Sequence, residues 1–131
     1  MIFVDTGAWY ALAVATDPDH EQAKAFLTTI AEPLLTTDYI VDELLTLFIV
    51  RGQKARGIEW RHDVLERGGT RLERVNETDF SDALQTYEEF ADKEWSFTDC
   101  TSYVVMRRLN IKLAFSLDHH FRQFGIVSVG P

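Results

Sequence analysis

The chain has 131 residues, of which 46% are hydrophobic and 26% charged, and its formal net charge is -8 at pH 7. This length and composition are typical of one globular domain, and we predict a single domain over residues 1–131. No apolar run approaches the roughly 18 residues of a transmembrane helix, and the N-terminus lacks a secretion signal. We therefore expect a cytoplasmic protein without membrane contacts. The single cysteine, Cys100, agrees with a reducing compartment.

The charges are segregated along the chain. Residues 51–74 contain seven basic and four acidic side chains, whereas residues 77–99 contain eight acids and the single base Lys93. We call these seven bases the basic stripe: Arg51, Lys54, Arg56, Arg61, Arg67, Arg71 and Arg74. A stripe of this kind suits a phosphate backbone, but a solvated helix surface is an equally good interpretation.

The chain begins with a short apolar run, Ile2 to Val4, which predicts a strand buried on both faces and ends at Asp5. In open α/β sheets, ligands bind beyond the carboxyl ends of strands, so Asp5 is a candidate site residue. Two predicted helices follow, one over residues 7–14 and one that ends before Pro33. Residues 34–36 predict a second strand.

The next predicted helix begins at a cap, Thr37 or Asp38, and ends near Gly52. Glu43 is unusual within it, because its neighbours one turn before and after are apolar. A carboxylate on an apolar face is costly unless it is paired or binds a metal. Glu43 is therefore a second candidate site residue.

The middle of the chain predicts a basic helix over residues 54–67, a strand over residues 71–75 and an amphipathic helix over residues 78–91. Thr98 is the predicted N-cap of the following helix. Asp99 then lies in the first turn, where the helix dipole favours a negative charge. An acid in that place is either a site residue or only a cap.

Residues 112–116 predict another buried strand, and Asp118 follows it by two residues, as Asp5 follows the first strand. A last strand is predicted over residues 126–129, after Gly125. Strands alternating with helices indicate an α/β fold with a mainly parallel central sheet of four to five short strands flanked by helices.

Four carboxylates thus have structural reasons to converge at one edge of the sheet: Asp5, Glu43, Asp99 and Asp118. Like charges at close range repel one another and raise their own pKa values, and a divalent cation relieves this repulsion. Ligands that offer only oxygen favour Mg²⁺ or Mn²⁺. Since Mg²⁺ usually also binds substrate phosphates, the pattern points to phosphodiester hydrolysis by a metal-activated water.

Four segments resemble the successive motifs of PIN-domain ribonucleases: Val4 to Thr6, Thr37 to Glu43, Phe97 to Cys100 and Ser116 to Phe121. Within that family, the length and motif spacing are similar to those of the VapC toxins of toxin–antitoxin pairs. The resemblance covers the whole chain and implies a PIN-like fold. It also implies a metal-dependent endoribonuclease whose catalytic and metal-binding residues are the same four carboxylates, with one or two Mg²⁺ or Mn²⁺ ions.

The resemblance implies further roles and partners. Thr6 and Ser116 match positions at which the family places supporting hydroxyl groups. The expected partners are an RNA substrate, a cognate antitoxin protein and a second copy of the chain, with the aromatic residues Trp9 and Tyr10 as candidates for a homodimer interface. The antitoxin would typically insert an Arg or Lys among the carboxylates.

The sequence departs from some relatives at one position. They carry a further acid where this chain has His120, which leaves a second metal ion open. His119 and His120 are either proton shuttles or, as is commoner for histidines in a loop, polar surface.

Two other functions are compatible with parts of the sequence. An aspartyl-phosphate phosphotransferase usually needs a second Asp two residues after the nucleophile, and this position is Gly7. A non-catalytic RNA-binding or regulatory PIN-like module would be favoured by the loss of a carboxylate, and all four are present.

Overall fold

The computed structural model describes residues 1–118, 120–125 and 127–128, and its centre is a five-stranded sheet. The strands are β1 Ile2–Val4, β2 Leu34–Thr37, β3 Arg71–Glu73, β4 Leu113–Phe115 and β5 Val127–Ser128. They lie in the order β3-β2-β1-β4-β5, and every neighbouring pair is parallel. The predicted fold class is confirmed. The outer positions of the last predicted strand, 126 and 129, lie outside the described residues.

The helices are α1 Thr6–Ala13, α2 His20–Leu27, α3 Asp38–Val50, α4 Lys54–Trp60, α5 Glu77–Glu89, α6 Phe97–Arg108 and α7 His120–Gln123. The predicted basic helix over residues 54–67 is divided, because α4 continues into a π-helical stretch, Arg61–Glu66. Apolar spacing does not signal this change of helical period. None of the described helices has the length and hydropathy that crossing a membrane requires.

The first strand occupies the middle of the sheet. Ile2, Phe3 and Val4 are all buried, as expected for a strand with parallel neighbours on both sides and packing on both faces. The largest fully buried side chains around it include Phe48, Phe115 and Phe121. The continuous apolar run at the start of the sequence therefore marks the centre of the core.

The predicted start of α6 is wrong by two residues. The N-cap is Ser96, whose Oγ accepts a hydrogen bond from the backbone N of Asp99 at 3.0 Å, while Asp99 Oδ2 accepts one from the backbone N of Ser96 at 3.0 Å. This reciprocal capping box satisfies two free amide groups, whereas Thr98 alone would satisfy one. Asp99 still lies in the first turn, as predicted. At the start of α3, Thr37 is the N-cap.

An ion pair between a buried carboxylate and a partly exposed guanidinium joins α5 to α6. Arg108 Nε and Nη2 donate to the two carboxylate oxygens of Asp79, both at 2.8 Å, and Asp79 is only 1% exposed. The same Nη2 lies 3.0 Å from Glu73 Oε2 at the end of β3. One guanidinium thus holds two helices and the edge strand together.

Candidate active site

Asp5 lies immediately beyond β1 and is almost completely buried. Its Oδ1 accepts a hydrogen bond from the backbone N of Thr6 at 2.8 Å, which caps α1, and its Oδ2 accepts one from Ser116 Oγ at 3.1 Å. β1 and β4 are paired in register, with Val4 opposite Phe115. This pairing places Asp5 beside Ser116 although the two are 111 residues apart.

Asp118 reaches the same edge of the sheet from the end of β4. Its backbone N donates to Ser116 Oγ at 3.0 Å, and its Oδ1 accepts a hydrogen bond from the backbone N of His120 at 2.9 Å. The Ser116 hydroxyl therefore contacts both segments that carry the site aspartates. This position suits the supporting role that the sequence suggested.

Glu43 extends from α3 toward the start of α1. Its Oε1 accepts a hydrogen bond from Thr6 Oγ1 at 2.6 Å. The apolar neighbours Ile40 and Leu44 are fully buried, so the helix face that predicted an inward carboxylate does pack against the core. Thr6 thus contacts both Asp5 and Glu43, through its backbone and its hydroxyl respectively.

The four predicted carboxylates line a single cleft of about 820 Å³. Three further acids line the cleft: Asp17, Asp19 and Glu94. The sequence pattern did not identify any of them as a site residue. Asp17 and Asp19 had the signature of a helix start, which conceals their place at the cleft. Nothing local in the sequence distinguishes these two uses of an acid.

The site aspartates disfavour one another's ionisation. Burial, together with the nearby carboxylates of Asp99 and Asp118, raises the pKa of Asp5 to about 7, although hydrogen bonds from Thr6 and Ser116 act in the opposite direction. Burial is also the main cause of the raised pKa of Asp99, to which Asp118 adds. A cation in the cleft would relieve this repulsion.

The donor set fits a hydrated divalent ion. Among the described residues, no three carboxylate, imidazole or thiolate groups converge closely enough to enclose an ion by themselves. Mg²⁺, however, commonly binds through one or two carboxylates and keeps several waters, and the cleft offers carboxylates that raise one another's pKa. The residues present therefore suit a divalent ion that keeps part of its water shell better than a metal that needs a closed protein shell.

The PIN domain family matches residues 2–127 of the chain. The chain belongs to the PIN domain family. It is 31% identical over 131 residues to the 23S rRNA-specific endonuclease VapC20 of Mycobacterium tuberculosis, covering 100% of this chain and 99% of the relative. The resemblance to PIN-domain nucleases of the VapC type is confirmed, and with it the prediction of an RNA-cleaving hydrolase.

Two solved structures share the fold. The crystal structure of M. tuberculosis VapC20, described as a sarcin-ricin loop cleaving toxin, superposes with a TM-score of 0.90 at 29% identity and covers 97% of each chain. The structure of FitAcB from Neisseria gonorrhoeae superposes with a TM-score of 0.73 at 15% identity, over 98% of this chain and 96% of that one. The second likeness concerns the fold alone.

His120 lies among the carboxylates of this PIN-domain cleft. Its Nδ1 is 3.6 Å from Asp99 Oδ2 and 3.4 Å from Asp118 Oδ1. The imidazole thus lies close to two of the four predicted site carboxylates. Its proposed part in proton transfer stays a prediction, and His119 lies outside the described residues.

Most of the basic stripe forms local ion pairs on the surface of the PIN domain. Arg56 lies 2.8 Å from Glu59 and Arg67 lies 3.0 Å from Asp63, each within one helical turn. Such pairs are typical of solvated helix surfaces. Arg51 differs, because it lines the cleft. The stripe as a continuous RNA-binding surface stays a prediction.

Proposed function

We propose that the chain is a metal-dependent endoribonuclease that hydrolyses RNA phosphodiester bonds in the carboxylate cleft and acts as the toxin of a toxin–antitoxin pair. The observation that carries the proposal is the convergence of the four predicted carboxylates on one cleft of a PIN domain. VapC20 is named for its action on 23S rRNA and on the sarcin-ricin loop. The 31% identity to VapC20, which extends over the full chain, supports a structured ribosomal RNA loop as the substrate class here as well.

In this proposal, Asp5, Glu43, Asp99 and Asp118 hold one or two Mg²⁺ or Mn²⁺ ions. When bound, a divalent ion supplies an activated water and stabilises charge on the phosphoryl oxygens. The chain's own residues fix the geometry. Two hydrogen bonds orient Asp5 before RNA binds, and the Thr6 hydroxyl orients Glu43, so little rearrangement is needed when the substrate arrives.

The proposal includes a cognate antitoxin, whose Arg or Lys would offset the carboxylate charge in place of the metal. We further propose that residues 1–131 act as one domain in the cytoplasm. These assignments follow from kinship with the VapC toxins. The acidic cleft supports them, since a cationic side chain would relieve the same repulsion as a metal ion.

The proposed homodimer requires a different surface from the one the sequence suggested. Trp9 and Tyr10 are only 2% and 5% exposed, so their assignment to an interface is wrong. Phe80, Leu84 and Tyr87 are 42%, 49% and 58% exposed, and their spacing places them on one face of α5. An exposed apolar stripe of this kind supports a contact between two copies of the chain.

A non-catalytic RNA-binding or regulatory module is the second candidate. The two candidates differ in one observable property, which is metal-dependent turnover.

Cleavage of RNA by the purified protein, freed of any copurified antitoxin, tests the proposal. Total cellular RNA and a sarcin-ricin stem-loop oligonucleotide would be incubated with Mg²⁺, Mn²⁺ or EDTA, with Asp99→Asn as the control, and the products sequenced. We expect cuts at a few defined sites that require metal and are absent with the variant. A folded protein that binds the RNA but makes no cut with either metal would favour the non-catalytic module.

Thr6→Val should reduce cleavage about 10- to 100-fold, because Glu43 loses the hydroxyl that orients it. The two side chains have nearly the same shape, so the free energy of unfolding should change by only about 1 kcal/mol. Thr6→Ser keeps the hydroxyl and should retain most of the activity. Initial rates of oligonucleotide cleavage measure both effects, and a fully active Thr6→Val protein would remove Thr6 from the mechanism.

A further inference from the structure

Arg51 brings a guanidinium group to a cleft dominated by acids. Among the described residues that line the cleft, seven are acidic and Arg51 is the only Arg or Lys. A divalent ion held by the carboxylates would neutralise charge near the scissile phosphate, but the neighbouring phosphates of the RNA would still lie close to carboxylates. A cationic side chain beside the carboxylates would favour binding of a polyanion there.

The guanidinium is held in place on one side and accessible on the other. Its Cζ lies 4.7 Å from the centroid of the Tyr10 ring, and that ring packs against Phe48 with centroids 5.4 Å apart. Arg51 Nη1 is 4.0 Å from Asp17 Oδ2, longer than a hydrogen bond, and the side chain is 53% exposed. The planar guanidinium of Arg51 stacks on the buried Tyr10 ring and is open to solvent on its other side. This arrangement suits bidentate hydrogen bonding to a phosphate.

We infer that Arg51 is a phosphate-binding residue that holds the RNA backbone next to the scissile bond. Arg51 follows Glu43 by eight residues at the end of α3, which separates their backbones by about 12 Å along the helix axis. The two side chains thus approach the cleft from positions about two helical turns apart, with Arg51 at the C-cap of α3. The inference rests on the proposed function and adds to it the residue that positions the substrate.

The test uses the sarcin-ricin stem-loop oligonucleotide as the probe. Binding is measured by fluorescence anisotropy over a series of salt concentrations with Mg²⁺, in an Asp5→Asn background that prevents cleavage. Arg51→Gln should weaken binding about 10-fold. It should also make the negative slope of log K against log[salt] less steep, by about 0.7 to 0.9. Arg51→Lys keeps the charge and should preserve the slope with intermediate affinity. In the active protein, Arg51→Gln should raise KM about 10-fold and change kcat little.

Arg107 provides a matched control. Its guanidinium also lies over a tyrosine, with Cζ 5.4 Å from the Tyr103 ring, and it is in the last turn of a helix, but it does not line the cleft. Arg107→Gln should leave RNA affinity, salt slope and KM unchanged. Urea unfolding of both Gln variants checks that each remains folded.

Wild-type affinity and salt slope in Arg51→Gln would overturn the inference, and so would a loss of kcat at unchanged KM. If the wild-type protein binds the RNA without cutting it, the proposed function fails, while the salt slope still decides the role of Arg51. If the wild-type protein does not bind the RNA, both fail.

Discussion

Asp5→Asn is expected to reduce RNA cleavage by at least about 100-fold while the protein remains folded. The substitution removes the most buried of the four carboxylates, which is held between the backbone of Thr6 and the hydroxyl of Ser116. The Asn carbonyl can still accept the hydrogen bond that caps α1. Activity and far-UV circular dichroism, measured on the same preparation, separate loss of chemistry from loss of fold. Wild-type cleavage by this variant would exclude Asp5 from the site.

The same variant should also alter how stability depends on pH. Folding raises the pKa of Asp5 from 3.8 to about 7, so the protonated form favours the folded state. Its stabilising contribution is complete below pH 3.8 and is lost as the pH rises through about 7. In EDTA, the free energy of unfolding should therefore fall by up to about 4 kcal/mol between these limits.

Asp5→Asn should remove most of that decline and be the more stable protein at pH 8. Urea unfolding in EDTA at several pH values measures the difference. Adding Mg²⁺ should restore stability to the wild-type protein at pH 8 more than to the variant, because the ion binds the folded carboxylates. Parallel pH profiles for the two proteins would contradict the assigned shift.

Arg108→Leu is expected to lower the free energy of unfolding by about 3–5 kcal/mol, because it leaves the Asp79 carboxylate buried without its guanidinium partner. The loss would also free the end of β3, since the same guanidinium reaches Glu73. The denaturant midpoint in urea measures the effect. For a domain of this size it is a large part of the total stability.

The double variant Asp79→Leu, Arg108→Leu should be more stable than Arg108→Leu alone, because it removes the uncompensated charge and adds apolar contact. Arg107→Gln, one residue away and on the surface, should change stability by less than about 0.5 kcal/mol. A loss in Arg107→Gln as large as that in Arg108→Leu would show that the helix end, and not the buried pair, is responsible.

The sequence predicted those residues of the candidate site whose immediate neighbours in the chain are distinctive. Asp5 ends an apolar run, and Glu43 interrupts an apolar helix face, so each carboxylate could be placed from its immediate neighbours. Alternation of strands and helices was likewise enough to predict the parallel sheet, because parallel strands require crossovers. The strand order and the pairing of β1 with β4 could be determined only from the structure.

What the sequence did not reveal depends on contacts between distant residues or on a choice between equivalent signals. Ser96 and Thr98 are both good N-caps, and only the reciprocal bond with Asp99 decides between them. Asp79 resembles the solvated acids of α5 until Arg108, 29 residues later, is seen to face it. Arg51 was one of seven similar bases, and its place over Tyr10 distinguishes it.

The position of β1 determines when this protein can become active during its synthesis. β1 lies in the middle of the sheet and pairs with β4, so the surroundings of Asp5 are completed only when Ser116, 111 residues further along the chain, has also been synthesised. A nascent chain that lacks β4 and the residues after it that line the cleft has no complete cleft. Under the proposed function, the toxin is inactive until this part of the chain has been made, and an antitoxin already present can bind it from that moment.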